Sequence, residues 1–332
     1  MQTKIVYVVV ADKDSIYLEQ AYVSVWSLKY YNPDASVTFV MDNRTKKYWD
    51  MCGYDELKTL VDEVIVREFE DNATNHYRSR WLKTSLRTLL QGDFLFLDTD
   101  TIVIGDIGGI DDFNDNIGMV EDLHQPNLST CRYLDFIINK TKQIGWSQFN
   151  LSSKYYNSGI IVAKDTLKSR DFFQEWHKNW KYSYSRGVNE DQLSLNYTNL
   201  IKNGISSVNP IYHCQLLGNG LKYFHNALII HYFNSSKFDN KGIKPFFLME
   251  DNMLQNIRLK QCLPSEITNR IKTCEDFFPS QIDLISGISI PVYYSRIFRA
   301  LAIIYAKYPS LYNLAEKTLS KLSGISFKSR SK

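Results

Sequence analysis

Two carboxylates on one tight turn, Asp98-Thr99-Asp100, are the residues of this sequence best suited to chemistry. They close the apolar run Phe94-Leu95-Phe96-Leu97, and apolar Ile102-Val103-Ile104 follows almost at once. Hard divalent cations prefer oxygen ligands, and a cation bridging two phosphate oxygens neutralises the charge on a departing diphosphate. A three-residue acidic pattern alone recurs as a solvated turn. The place of this one, at the end of an apolar strand, marks it as a metal-binding candidate. A second acid, Asp12, follows the first apolar run, Ile5-Val6-Tyr7-Val8-Val9-Val10. Ligands of open α/β sheets gather beyond the carboxyl ends of strands, so Asp12 and Asp98 are expected to share one crevice.

The elements that must position these acids are legible from apolar spacing. Residues 4–10 form a continuous β-branched run of the kind buried on both faces of a parallel sheet. The polar loop Asp12-Lys13-Asp14-Ser15 leads to a predicted helix over 16–30, and Asn32-Pro33-Asp34 turns the chain into a strand over 36–41. Residues 43–60 read as helix and 61–67 as strand. Leu82, Leu86, Leu89 and Leu90 recur at helical spacing within 80–90, ahead of the strand at 93–97. This alternation predicts an α/β fold with a mostly parallel sheet flanked by helices. Beyond Asp122 the rhythm becomes irregular, with a strand at 159–163 and a helix at 171–182. Phe172, Phe173, Trp176 and Trp180 fall near one face of that helix and read as core rather than as a sugar platform. The expected organisation is a domain over 1–250, divided near 122 where the strand–helix rhythm changes. A helical C-terminal extension over 251–332 follows.

Composition narrows the alternatives. With 44% hydrophobic and 23% charged residues the chain reads as globular, which excludes global disorder. Five cysteines without a CxxC pair indicate neither a disulfide framework nor a zinc site, and suit a reducing compartment. The first apolar run is too short to span a bilayer and no small-residue cleavage site follows it, so a cytoplasmic location is expected. From Pro291 onward there are eight basic residues and one acid, a local net charge of +7 that leaves −4 on residues 1–290. Arg296 and Arg299 interrupt any bilayer-spanning run. An apolar face beside cations suits a helix lying on an anionic membrane surface. No recognition motif accompanies the charge, which argues against a nucleic-acid partner. The segment 11–17 contains no glycine, whereas a dinucleotide-dependent oxidoreductase needs a G-x-G-x-x-G turn there. The same gap weighs against a sugar-phosphate nucleotidyltransferase, the alternative enzyme reading.

The segment Leu95-Phe96-Leu97-Asp98-Thr99-Asp100-Thr101-Ile102-Val103 resembles the core signature of glycosyltransferase family 8, and further segments keep the family's order through about residue 237. That family includes glycogenin and bacterial galactosyl- and glucosyltransferases of lipopolysaccharide synthesis. The resemblance implies a GT-A fold and a retaining hexosyltransferase that uses a UDP-sugar and manganese, with magnesium as the alternative. It implies a saccharide or lipid-linked glycan acceptor and a peripheral place on the inner face of the cell membrane. Ala11, Asp12 and Tyr17 match the nucleotide-binding first loop, and Lys83, with Arg80 as alternative, matches a basic residue that reaches the donor. Asp98, Asp100 and His231 match the metal ligands, with Thr99 between the acids at the donor. Asp122, Asn157, Ser158 and Gly159 match positions around the donor sugar. Asp191 and Gln192 match the Asp-Gln pair at the anomeric centre. An amide oxygen is a poor nucleophile, so Gln192 is read as stabilising positive charge there. Lys237 matches a diphosphate lysine by spacing, but Asn234 stands for the usual Gly and Phe238-Asp239 for Pro-Trp, which leaves Lys244 as its alternative. His76, His124, His177, His213 and His225 are read as structural. A catalytically inactive carbohydrate-binding relative is the non-enzyme alternative, against which the intact acids, His231 and Asp191-Gln192 argue.

Overall fold

The structure, a computed structural model, describes residues 1–234, 246–278, 290–293 and 295–323. Lys237 and Lys244 lie outside these residues, as do Lys328, Arg330 and Lys332. The chain divides into two compact units, one of Met1–Phe238 with Leu248–Phe277 and one of Asp239–Phe247 with Phe278–Lys332.

The first unit begins with β1 (Lys4–Val9), α1 (Tyr17–Tyr31), β2 (Val37–Asp42), α2 (Asn43–Met51), α3 (Asp55–Leu60) and β3 (Glu63–Arg67). The expected single helix over 43–60 is thus two. The chain breaks beside Gly53, where an added Cβ would lie 2.0 Å from the Gln261 side chain. Next come α4 (Asn75–Thr84), the short α5 (Leu86–Leu89), β4 (Phe94–Leu97), β5 (Thr101–Val103) and β6 (Ile117–Met119). Then follow α6 (Leu134–Ile144), β7 (Ile160–Ala163), α7 (Leu167–Ser185), α8 (Asp191–Lys202), β8 (Ile205–Ser207), β9 (Cys214–Gln215) and β10 (Ile229–His231). Helix α6 has no counterpart in the sequence reading.

Seven strands form a sheet in the order β3-β2-β1-β4-β7-β6-β8. Strands β1 to β4 run parallel, β7 runs antiparallel to β4 and β6, and β8 is parallel to β6. β1, β2 and β4 are buried almost throughout, as their unbroken apolar runs require. A small second sheet, β5-β10-β9, lies across the acidic turn from β4, because β5 leaves that turn and pairs antiparallel with β10. Phe172, Phe173, Trp176 and Trp180 on α7 are buried core side chains, as their spacing implied.

Helices α9 (Asp251–Lys260) and α10 (Ser265–Thr273) belong to this same unit. Their buried Leu254, Ile257, Ile267 and Ile271 form part of its core, so the unit runs past the boundary drawn at residue 250. The second unit contains α11 (Ile290–Tyr293), α12 (Arg296–Lys307) and α13 (Pro309–Ser323). Ile297, Ile303, Tyr305, Leu311 and Leu314 are exposed on it. Among the described residues no helix is long and apolar enough to cross a membrane.

Candidate active site

The acidic turn is where the two sheets meet. Its backbone is pinned on both sides, by Asp98 N–H donating to the Gly159 carbonyl (2.8 Å) and Tyr232 N–H donating to the Asp100 carbonyl (3.1 Å). The register of β10 on β5 sets His231 opposite Thr101, directly after the second aspartate. Asp98, Asp100 and His231 therefore converge, with one ligand atom from each lying within 4.8 Å of the others. His231 Nε2 lies 3.1 Å from Asp100 Oδ1. Burial raises the Asp98 pKa despite the nearby Lys83, and the charge of Asp100 adds to the rise. Burial is the largest influence on Asp100 and opposes its ionisation, but adjacent His231, a backbone hydrogen bond and the charge of Lys83 together hold that carboxyl below the usual range. Two carboxylates and an imidazole form an O,O,N donor set that could hold a divalent cation.

The imidazole is held from three sides. Phe233 stacks on its face at 3.9 Å between ring centroids, and His213 Nε2 lies 2.9 Å from its Nδ1. Burial holds His213 well below the ordinary histidine range, so its ring is neutral and its Nε2 can accept a hydrogen bond from a protonated His231 Nδ1. In that tautomer His231 Nε2 keeps its lone pair for a cation. Along the third side runs Gly159, where an added Cβ would stand 2.5 Å from His231 Cε1.

A buried charge cluster adjoins the turn. Lys83, on the last turn of α4, donates to Asp98 Oδ1 at 3.0 Å and lies 3.4 Å from Asp191 Oδ2. Arg80, one turn earlier, places Nε 2.7 Å from Asp191 Oδ1, and Ser158 Oγ donates to Asp191 Oδ2 at 2.9 Å. Burial would raise the Asp191 pKa, but the charges of Arg80 and Lys83 with the Ser158 hydrogen bond hold the carboxyl well below the usual range. The two bases weighed as alternatives in the sequence thus converge on one acid, and Lys83 also bridges it to the acidic turn.

On the other flank, Asn157 Nδ2 donates to Asp122 Oδ1 at 2.7 Å, while Asn157 Oδ1 accepts from Gly159 N–H at 2.8 Å. Burial raises the Asp122 pKa, and Asn157 and Gln192 both hydrogen-bond its carboxyl. Gln192 opens α8 beside Asp191, and its Oε1 lies 3.4 Å from Ser158 N. The loop after β1 closes the far end. Asp12 accepts from Asn75 Nδ2 and from Asp14 N–H. The charges of Arg80, Asp100, Asp98 and Asp12 all reach the Tyr17 hydroxyl, although burial is the main reason its pKa is raised. Ala11 is buried, tied through its N–H and its carbonyl to Thr45 Oγ1. Thr99 is buried too, and its hydroxyl donates to Gln20 Oε1 (3.2 Å) on α1. Direct contacts thus join Lys83 to Asp98 and Asp191, Asp191 to Ser158, Ser158 to Gln192, Asp122 to Asn157 and Asp100 to His231, while Lys237 lies outside the described residues.

Sequence reasoning missed the layer behind these residues. His213, read as structural, meets His231 side to side. Gln215 accepts from Leu123 N–H and donates to the Glu121 carbonyl, which clamps Leu123 and His124, both at φ of 52°. These partners lie 18 to 94 residues apart in sequence, and no local pattern announces such a pairing.

The sequence matches glycosyl transferase family 8 over residues 8–241. No curated protein matches it. Among solved structures, the galactosyltransferase LgtC in complex with donor and acceptor sugar analogues is similar at a TM-score of 0.50 and 14% identity, over 81% of this chain and 100% of that one. Mouse xyloside xylosyltransferase 1 in its apo form is similar at 0.45 and 12% identity, over 70% and 97%. The glycosyltransferase GlyE of Streptococcus pneumoniae TIGR4 is similar at 0.47 and 15% identity, over 86% and 67%. At 14% identity the likeness to LgtC is one of fold, a GT-A sheet flanked by helices. A family match across more than two thirds of the chain, on that fold, makes the protein a glycosyltransferase of glycosyl transferase family 8.

Proposed function

We propose that the protein moves a hexose from a UDP-sugar to a saccharide or lipid-linked glycan acceptor with retention of anomeric configuration. The observation that carries this reading is the convergence of Asp98, Asp100 and His231 within 4.8 Å. These residues would hold manganese, or magnesium in its place, and the ion would supply Lewis-acid neutralisation of the diphosphate. Asp12 and Tyr17 take the nucleoside, with Ala11 setting the backbone of their loop and Thr99 that of the acidic turn. Lys83 carries a buried positive charge beside Asp98 and offers it to the donor; Lys237 or Lys244 offers a second. Asp122, Asn157, Ser158 and Asp191 accept or donate hydrogen bonds to sugar hydroxyls, and Gly159 lets the backbone approach. Gln192, between Asp122 and Ser158, presents its amide oxygen to the positive charge that develops at the anomeric carbon. Leaving-group departure and acceptor attack then occur on one face of the sugar.

The two halves of residues 1–250 divide these tasks near residue 122. The exposed apolar and basic side chains of α12 and α13 suit an anionic membrane surface. An enzyme with a lipid-linked acceptor would work there, on the cytoplasmic face. The test is manganese-dependent UDP release from a panel of UDP-sugars. Release should vanish with chelator and in Asp100→Asn. An Asn variant as fast as wild type rejects the metal site, and pyrophosphate release from UTP and a sugar phosphate would favour the nucleotidyltransferase instead.

A further inference from the structure

The family match ends at residue 241, yet a side chain beyond it reaches the loop that carries Asp12. Arg258, near the end of α9, forms a fork on Glu19 in the first turn of α1, with Nε on Oε1 at 2.8 Å and Nη2 on Oε2 at 2.9 Å. The same guanidinium donates through Nη1 to the Lys13 carbonyl (2.6 Å) and through Nη2 to the Ser15 carbonyl. Glu19 is fully buried and also accepts from the Tyr54 hydroxyl at 2.7 Å.

The loop has hydrogen bonds of its own, from Ser15 N–H to the Asp12 carbonyl and from Asp12 N–H to Ser15 Oγ, and Asn75 donates to Asp12; Arg258 is what ties its Lys13 and Ser15 carbonyls to another element. Lys13 and Asp14 are exposed, and Ile16 at the start of α1 provides no side-chain cap. A short polar loop without apolar anchors takes its geometry from hydrogen bonds. One planar guanidinium holds two of its carbonyls and ties them to a buried carboxylate, which an ammonium cannot reproduce. A second tether runs in parallel. Gln20, which accepts from Thr99, donates to the Asn234 carbonyl, and Asn234 in turn donates to the Leu248 carbonyl.

We infer that Arg258 is a positioning residue for the nucleotide end of the site, acting on Asp12 and Tyr17 through Lys13, Ser15 and Glu19. Helix α9, outside the matched residues, is then a working part of the donor site. The functional side of this inference rests on the proposed role of Asp12 and Tyr17.

The experiment uses the full chain and three variants: Arg258→Lys, Arg258→Gln, and Arg258→Gln combined with Glu19→Gln, which removes the stranded buried charge. Hydrogen exchange is followed in peptides covering 11–17 and 94–103, alongside titration with manganese alone and with UDP plus manganese. Losing hydrogen bonds to a charged group should speed exchange in 11–17 by about tenfold or more and weaken UDP binding by a similar factor. Exchange in 94–103 and affinity for manganese alone should stay at wild-type values. Unchanged exchange in 11–17, or equal acceleration in both peptides, overturns the inference. A wild-type chain that binds no UDP refutes the donor reading instead, and the exchange data still decide whether Arg258 fixes the loop.

Discussion

Replacing Gly159 with alanine tests the proposed metal site through a residue that offers no ligand atom to it. The backbone itself tolerates the change, because Gly159 is not among the positive-φ glycines. The side chain does not fit. Its Cβ would lie 2.5 Å from His231 Cε1, 2.7 Å from His231 Nδ1 and 2.9 Å from Asn157 Oδ1, whereas ordinary contact begins at 3.4 Å. The ring must therefore retreat by about 0.9 Å, and it has no free direction: Phe233 covers its face and His213 holds Nδ1. Metal–ligand distances tolerate about 0.2 Å. A displacement several times larger should cost about 10–100-fold in manganese affinity, the range seen when partners of a metal ligand are lost. Manganese titration followed by electron paramagnetic resonance measures this directly, with urea midpoints confirming the fold. In a His231→Ala background the clash with the ring is gone and only the 2.9 Å approach to Asn157 Oδ1 remains, so Gly159→Ala should there change affinity by much less than in the wild-type background. Wild-type manganese affinity in Gly159→Ala would refute the reasoning, since His231 would then not be the ligand or its ring would not be fixed.

Four further outcomes follow from the sequence and the fold. His213→Ala removes the ring hydrogen-bonded to His231 Nδ1, so manganese affinity should fall by about tenfold or more while His213→Asn recovers part of it, measured by the same titration. Lys83→Met strips a buried cation from Asp98 and Asp191 and should destabilise by about 3–5 kcal/mol in urea unfolding, with loss of UDP release. Burial pushes the His124 imidazole down to about 4 from 6.5. Between those values the unfolded chain binds a proton that the folded chain refuses, so stability falls as pH drops from 6.5 to 4. The difference is about 3 kcal/mol, and His124→Gln should flatten that part of the pH profile of urea midpoints. For the C-terminal helices, deletion after Ile290 should abolish co-sedimentation with anionic vesicles, and undiminished sedimentation would reject the membrane reading.

The sequence by itself determined the strands and the acidic turn. β1, β2 and β4 are runs of apolar residues that only burial on both faces accommodates, so their type and order follow from local composition. The convergence of Asp98 with the β1 end follows from parallel topology. His231, Asp191 and Gln192 had no local signal of that strength and were reached through a family resemblance. Only the tertiary structure decided what stands behind them. Whether Arg80 or Lys83 meets Asp191 is a question of side-chain reach, and here both do. His213 meets His231 because β9 and β10 pair, and Arg258 meets Glu19 across 239 residues because α9 packs on α1. Side chains that act on one another over such separations share no periodicity and no spacing. Their pairing is set by packing of the folded chain, which is where the first loop acquires its anchor and the histidine its orientation.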